Sequence, residues 1–228
     1  MKSNRFSQLL GVFLLIGMAG IAQALPTYYF DPVADRALFQ AAAGVPLASE
    51  SFEDPFAGAS SISFPVGGPQ KFTVSIDSGN FWQDNFSRLV SDGFYALCFE
   101  EYPSRVVTFT FDSPINYFGI DVNDMNFGNM SFADDLGNFY SNILVGDFGS
   151  SAGGPGFQNL QFFGVSNSNP FSSISLSFSN SDPTLTGTLA FDNLQYGAGT
   201  APIPEPATML LLGSGLVGLW GARKKFKK

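Results

Sequence analysis

Arg105-Val106-Val107-Thr108-Phe109-Thr110-Phe111 alternates apolar with polar: Val107, Phe109 and Phe111 fall on one side, Thr108 and Thr110 on the other. A period of two sends successive side chains to opposite faces, so this run reads as a strand with one buried face. Lys71 to Ile76 repeats the pattern with Phe72, Val74 and Ile76. Working outward, strands are expected at Tyr117 to Val122, Met130 to Phe132, Phe139 to Val145, Asn159 to Val165, Ile174 to Phe178 and Leu189 to Tyr196. Turn chemistry separates them at Asp135-Leu136-Gly137-Asn138, Ser150 to Gly156 and Ser166 to Pro170. About eight to ten short strands at this spacing predict an all-β fold, a two-sheet β-sandwich of jelly-roll type.

Composition supports that class. The 228-residue chain holds 26 phenylalanines, and Ser, Gly and Asn are abundant while Lys and Glu are scarce, a vocabulary that suits strands better than helices. One helix is expected near Pro32 to Ala43, with Ala34, Leu38, Ala41 and Ala42 on one face and Gly44 at its end. Cys98 is the only cysteine, so no internal disulfide can form. Its neighbours Leu97 and Phe99 suggest a buried thiol.

Both ends differ from the middle. Lys2 and Arg5 precede an apolar run from Leu9 to Ile21, and Ala22-Gln23-Ala24 puts small residues where signal peptidase reads, so residues 1–24 are expected to be a signal peptide. Residues 25–196 form the expected sandwich domain, and Gly197 to Ile203 a linker with nothing able to bury surface. Between Leu25 and Ile203 stand eighteen acidic residues against four cations, Arg36, Lys71, Arg88 and Arg105, a balance that repels nucleic acid and anionic lipid.

The C-terminal residues 204–228 hold Pro204-Glu205-Pro206, an uncharged stretch from Ala207 to Ala222, and the cations Arg223, Lys224, Lys225, Lys227 and Lys228. Sixteen residues make a helix of roughly 24 Å, enough for a single transmembrane helix across a thin bilayer. The basic cluster stays cytoplasmic and leaves the proline triplet outside. Pro204 and Pro206 keep their surroundings extended, a form that a protease can grip. Ser214, Gly218 and Ala222, spaced four apart, form a small-residue stripe that suits close contact with a membrane partner, as well as an ordinary short span. This order of parts closely resembles the PEP-CTERM sorting signal of Gram-negative bacteria. The resemblance covers about a tenth of the chain. It implies an exosortase, a membrane-embedded processing enzyme that cuts near the triplet and passes the protein to the exterior.

Candidate sites are constrained by the absence of histidine, which removes Ser-His-Asp and Cys-His catalysis and His-based metal sites. Carboxylate, hydroxyl and amide remain, a set compatible with calcium. Phe52-Glu53-Asp54, entering the first sandwich strand, and Phe191-Asp192-Asn193, in the last, resemble a pattern of exported jelly-roll domains that include carbohydrate-binding modules. The resemblance implies that Glu53 and Asp192 share a structural calcium ion. Read alone, Asp192 and Asn193 also suit bonding to neighbouring backbone at a bend. Asp121-Val122-Asn123-Asp124-Met125-Asn126 is oxygen-rich but lacks EF-hand spacing, and reads as a second calcium position or a solvated turn. Glu100-Glu101 and Asp134-Asp135 are adjacent pairs whose members point to opposite faces of a strand, which argues against paired-carboxylate hydrolysis. Trp82, with Phe81, Tyr95 and Tyr102, is a candidate to stack on sugar rings.

The expected protein is therefore non-enzymatic and exported. It is an inner-membrane precursor that reaches the cell surface or extracellular matrix and binds or packs within exopolysaccharide. A polysaccharide-active enzyme using carboxylates and a purely structural biofilm protein are the alternatives.

Overall fold

The computed structural model describes residues 25–31, 34–66, 71–85, 91–100, 104–123, 129–144, 161–179 and 188–199. The signal-peptide reading with Ala22 and Ala24, most of the linker, Pro204, Glu205, Pro206, the span 207–222 and the cations Arg223, Lys224 and Lys225 lie outside these residues. Among the described residues, no helix is long and apolar enough to cross a membrane. Residues 25–201 form one compact unit.

In chain order the elements are β1 (Thr27–Tyr29), α1 (Ala34–Ala43), β2 (Ala48–Glu50), β3 (Ser61–Phe64), β4 (Phe72–Ile76) and β5 (Trp82–Asp84). They continue with β6 (Ala96–Glu100), β7 (Ser104–Asn123), β8 (Asn129–Asp134), β9 (Phe139–Leu144), β10 (Gln161–Ser179) and β11 (Thr188–Gly197). The two longest strands organise the rest. Phe109 and Phe118 belong to the same strand, β7, yet their ring centroids are 5.2 Å apart. Nine extended residues would hold them about 30 Å apart, so β7 folds back on itself.

The fold-back occurs at Asp112-Ser113-Pro114, the exposed part of β7 between Phe111 and Ile115. Its partner β10 bends alongside, where register slips between Ser166 and Phe171 and again before Ser173. Pro114 and Pro170 sit at these corners, where a residue without a backbone donor costs the ladder nothing. Buried Asn116 spans the bend, donating its side-chain amide to the carbonyls of Asn167 at 2.8 Å and Ser168 at 3.2 Å. The alternation and turn residues predict separate strands on either side of these corners, with a turn at Ser166 to Pro170. In the structure β7 and β10 each run through the corner as one strand, with the pairing interrupted there.

One hydrogen-bonded sheet therefore closes into two layers. The first runs β3-β4-β7-β10-β8-β9, using the N-terminal half of β7 and the C-terminal half of β10. The second runs β5-β6-β11-β7-β10-β1 through the other halves, with β2 beside the far end of β11. Phenylalanine fills the space between them. Phe109 meets Phe191 at 5.6 Å and Phe178 meets Phe99 at 5.6 Å across the layers, while Phe72 stacks on its cross-strand partner Phe64 at 5.4 Å within the first. The β-sandwich expected from alternation is thus present. Short strands β1, β2, β3 and β5 escaped the sequence reading because three or four residues carry too little periodicity.

The helix covers the outer face of the second layer. Asp31 Oδ1 accepts from Ala34 N at 2.7 Å and Asp35 Oδ2 accepts from Phe30 N at 2.8 Å, satisfying donors around the first turn. Gly44 follows the last turn as expected. The buried face is not the one expected: Leu38 is 60% exposed, while Phe39 and Ala43 are fully buried. Phe39 wins because Gly119 and Gly164 face each other across β7 and β10 and leave a flat seat for its ring. A Cβ on Gly119 would stand 2.8 Å from Phe162 Cζ and 2.9 Å from Phe39 Cε1.

Alanine in a strand ordinarily gains about 0.5–1 kcal/mol over glycine. At this seat overpacking reverses the sign, and Gly119→Ala is expected to lose about 1–3 kcal/mol in urea unfolding of the domain. A neutral or stabilised variant would show that the helix does not rest on the glycine pair.

Candidate functional site

Asp121 on β7 and Asp192 on β11 are cross-strand partners, and both are almost completely buried. Beyond Asp192 the register slips until Gln195, and Asn193 takes a positive φ of 45° in this bulge. The bulge turns the Asn193 amide toward Asp121 Oδ2, 3.3 Å away. Arg36 of the helix forms an ion pair with Asp121, and its guanidinium lies 4.6 Å from the centroid of Phe162. The cation thus partly repays the desolvation of one carboxylate.

Asp192 has a different task. Its Oδ2 accepts from Ser91 N at 2.6 Å and Asp92 N at 2.7 Å, and its Oδ1 from Asn193 N at 2.7 Å. The Ser91 hydroxyl lies 2.7 Å from Asp121 Oδ2 and 3.1 Å from Asp192 Oδ2. It has a single proton to share between them. At the other end of the same loop, Glu53 Oε1 accepts from Phe94 N at 2.7 Å and Tyr95 N at 3.0 Å. Gly93 between the two anchors has φ 76°, and a Cβ there would collide with the Glu53 carboxylate. The clamped loop holds Phe94 78% exposed and Tyr95 39% exposed.

Glu53 and Asp192 therefore act on one loop, but through backbone N–H groups. Oxygens already surrounded by N–H donors are poorly placed for a cation. Among the described residues, no group of three or more His, Cys, Asp or Glu side chains could hold a metal ion. The residues do not fit a shared calcium. Glu53 also stands outside the strands, in the connection from β2 to β3, where Gln83 Nε2 donates to the carbonyls of Phe52 at 2.7 Å and Asp54 at 2.9 Å. Of the three backbone donors to Asp192, only Asn193 N is a neighbour at the bulge; Ser91 N and Asp92 N come from a distant loop.

Other sequence candidates are also relocated. Asp121 and Asn123 are buried strand residues and not part of a solvated turn; Asp124 to Asn126 lie outside the described residues. Asp134 accepts from Leu136 N and Asn138 N, shaping the β8–β9 turn, while Asp135 accepts from Ser172 N and Ser173 N. Glu101 and Tyr102 lie outside the described residues. Cys98 is buried, with its thiol 3.6 Å from the Ala96 carbonyl oxygen. Phe81 is fully buried and touches Phe99, so it cannot stack on a ligand.

Trp82, one position along, is half-buried on the opposite face. It packs against the small residues Ala96, Cys98 and Ala190. It also lines a cleft of about 250 Å3 with Ser78, Gly79, Asn80, Glu100 and Arg105. Sequence reasoning missed Glu100 and Arg105 as its companions. They come from different strands and no spacing links them.

Burial pushes the Asp192 carboxyl from 3.8 up to about 7, against the pull of its backbone donors and Ser91. Burial also raises Asp121, with Arg36 pulling the other way. A carboxyl raised by folding favours the fold while protonated. That contribution is whole below about pH 4 and is lost as pH rises through about 7. Urea unfolding at pH 5 and pH 8 is expected to show greater stability at pH 5, and Asp192→Asn to remove most of the difference attributable to this site. An identical pH difference in the variant would refute the assignment.

Comparison with known proteins adds three solved structures and one motif. TmCBM61 in complex with β-1,4-galactotriose is 11% identical, with 70% of this chain and 93% of that one covered at a TM-score of 0.34. The family 11 carbohydrate-binding module of the cellulosomal cellulase Lic26A-Cel5E of Clostridium thermocellum is 11% identical, with coverages of 70% and 99% and a TM-score of 0.31. The enzymatically active domain of bacteriophage CBA120 tailspike protein 4 is 16% identical at a TM-score of 0.33; the match takes in 56% of this chain but 19% of that one. At these scores no ligand or activity transfers. No curated protein matches significantly. The motif is decisive where the folds are not: residues 202–225 match the PEP-CTERM protein-sorting motif, so this chain carries that sorting signal immediately after its sandwich domain.

Proposed function

We propose that the protein is an exported, non-enzymatic β-sandwich, delivered by an exosortase-type system to the surface or extracellular matrix of a Gram-negative bacterium, where it binds or packs within exopolysaccharide. The observation that carries this reading is the sorting motif at residues 202–225, just beyond the compact unit ending at Ala201. Signal peptidase removes residues 1–24. The tail from Ala207 to Lys228 holds the precursor in the inner membrane until the exosortase acts near Pro204-Glu205-Pro206.

The surface of the domain supports a polymer-bound role. Phe94, Phe139, Tyr95 and Tyr140 are exposed by 78%, 64%, 39% and 40%, giving rings that pack against sugar faces. Its acidic excess keeps the domain away from nucleic acid and anionic membranes. The buried carboxylates are consumed by Arg36, Ser91 and backbone donors, which leaves them a structural task.

Mass spectrometry of the protein recovered outside the cell is expected to show a new N-terminus at Leu25 and loss of the residues beyond about Pro206. Replacing Pro204-Glu205-Pro206 by three alanines is expected to leave the precursor in the inner membrane. An intact apolar tail on the exterior product, or normal release of the triple variant, would overturn exosortase handling.

A further inference from the structure

We propose that the cleft at Trp82 is the glycan subsite of this domain and that it accepts one neutral hexose ring of a polysaccharide; this rests on the polysaccharide reading above. The cleft lies where the β4–β5 loop, the end of β6 and the start of β7 meet. Its lining comes from Ser78, Gly79, Asn80, Trp82, Glu100 and Arg105.

Three features point to a sugar. The indole of Trp82 is supported from beneath by Ala96, Cys98 and Ala190, side chains small enough to let a wide ring lie close to the sheet. Its accessible part borders the cleft, as stacking on a pyranose requires. Around it stand a donor and acceptor set: the exposed side chains of Ser78, Asn80 and Glu100, and Arg105. Arg105 Nη1 donates to the Ser104 carbonyl at 2.8 Å, whereas its buried Nε has no hydrogen-bond partner among the described residues. A buried N–H without a partner is costly, and a hydroxyl oxygen brought in by a ligand would relieve it.

Charge and size narrow the class. Arg105 and Glu100 cancel, so the cleft is neutral within a strongly acidic domain, and a polyuronate would meet repulsion on approach. A neutral ring with vicinal hydroxyls uses both groups, accepting from Arg105 and donating to Glu100. The volume of about 250 Å3 is below the roughly 300–1,000 Å3 typical of pockets for drug-sized molecules, and suits a single ring of a chain that continues outside. A larger hollow of about 560 Å3 at Gln40, Gly44, Leu47 and Gln195 has neither aromatic nor charged lining, and so offers no comparable recognition.

The test is affinity electrophoresis of the exported protein through native gels holding a soluble neutral β-glucan, a soluble neutral galactan or alginate. Retardation by a neutral polymer is expected. Trp82→Ala and the surface variant Asn80→Ala should each weaken it by about tenfold, while Leu136→Ala, on the exposed β8–β9 turn, should not. Melting curves identify any variant that fails to fold, and Asn80→Ala keeps the test informative if Trp82→Ala does. Undiminished binding by both cleft variants would overturn the subsite and leave the polysaccharide reading standing. Preference for alginate that disappears in Arg105→Gln would overturn the neutral assignment. Failure of the native protein to bind any of the three polymers would count against the polysaccharide reading and the subsite together.

Discussion

The closure of β7 onto itself, with Phe109 packed on Phe118, is the constraint on which the remaining structure depends. A strand that folds at Asp112-Ser113-Pro114 gives one half of its length to each layer, and β10 must bend beside it to keep its hydrogen bonds. The two layers are therefore tied by backbone pairing as well as by packed rings. This matters in a chain with one cysteine, because no disulfide is available to hold the layers together. Aromatic contacts between the layers add about 0.5–1.5 kcal/mol each beyond the area they bury.

From that closure follow the positions of the polar groups. Folding β7 places its second half in the middle of the second layer, covered by the Phe core on one side and by the helix on the other. Asp121 lies on this doubly covered segment, and its burial is tolerable because Arg36 descends from the helix to meet it. Asp192 is drawn in by pairing beside it. With no cation paired to it among the described residues, it accepts from the backbone of Ser91, Asp92 and Asn193. The loop that Asp192 and Glu53 clamp is thus a product of the same geometry. So is the cleft, since the start of β7 brings Arg105 beside the β4–β5 loop and the end of β6.

The comparison of expectation with outcome is clearest at the helix and at Glu53. Helical periodicity placed Leu38 inward, and Leu38 is exposed, because the receiving surface is shaped for Phe39 by two glycines 80 and 125 residues further along the chain. The resemblance paired Glu53 and Asp192 through a calcium ion, whereas in the structure both accept from backbone N–H groups of one loop. Their common partner is a run of backbone amides, and amides leave no mark in a sequence, whereas a metal site can be imagined from carboxylates alone. Strand runs with five or more alternating residues were legible. Those of three or four, such as β1 and β5, exist only because a neighbour offers them a free edge.

By itself the sequence determined the class of fold and the sorting of the chain. Alternation in Lys71 to Ile76 and Arg105 to Phe111 is a local property of consecutive residues, and so is the order of proline triplet, apolar stretch and basic cluster in residues 204–228. Only the tertiary structure decided that the sandwich is one sheet bent at Pro114 and Pro170, that Asp121 and Asp192 lie side by side, and that Trp82 shares a cleft with Glu100 and Arg105. Each of these depends on which strands become neighbours. That choice is made by the burial of the whole phenylalanine core at once, and no local pattern records it.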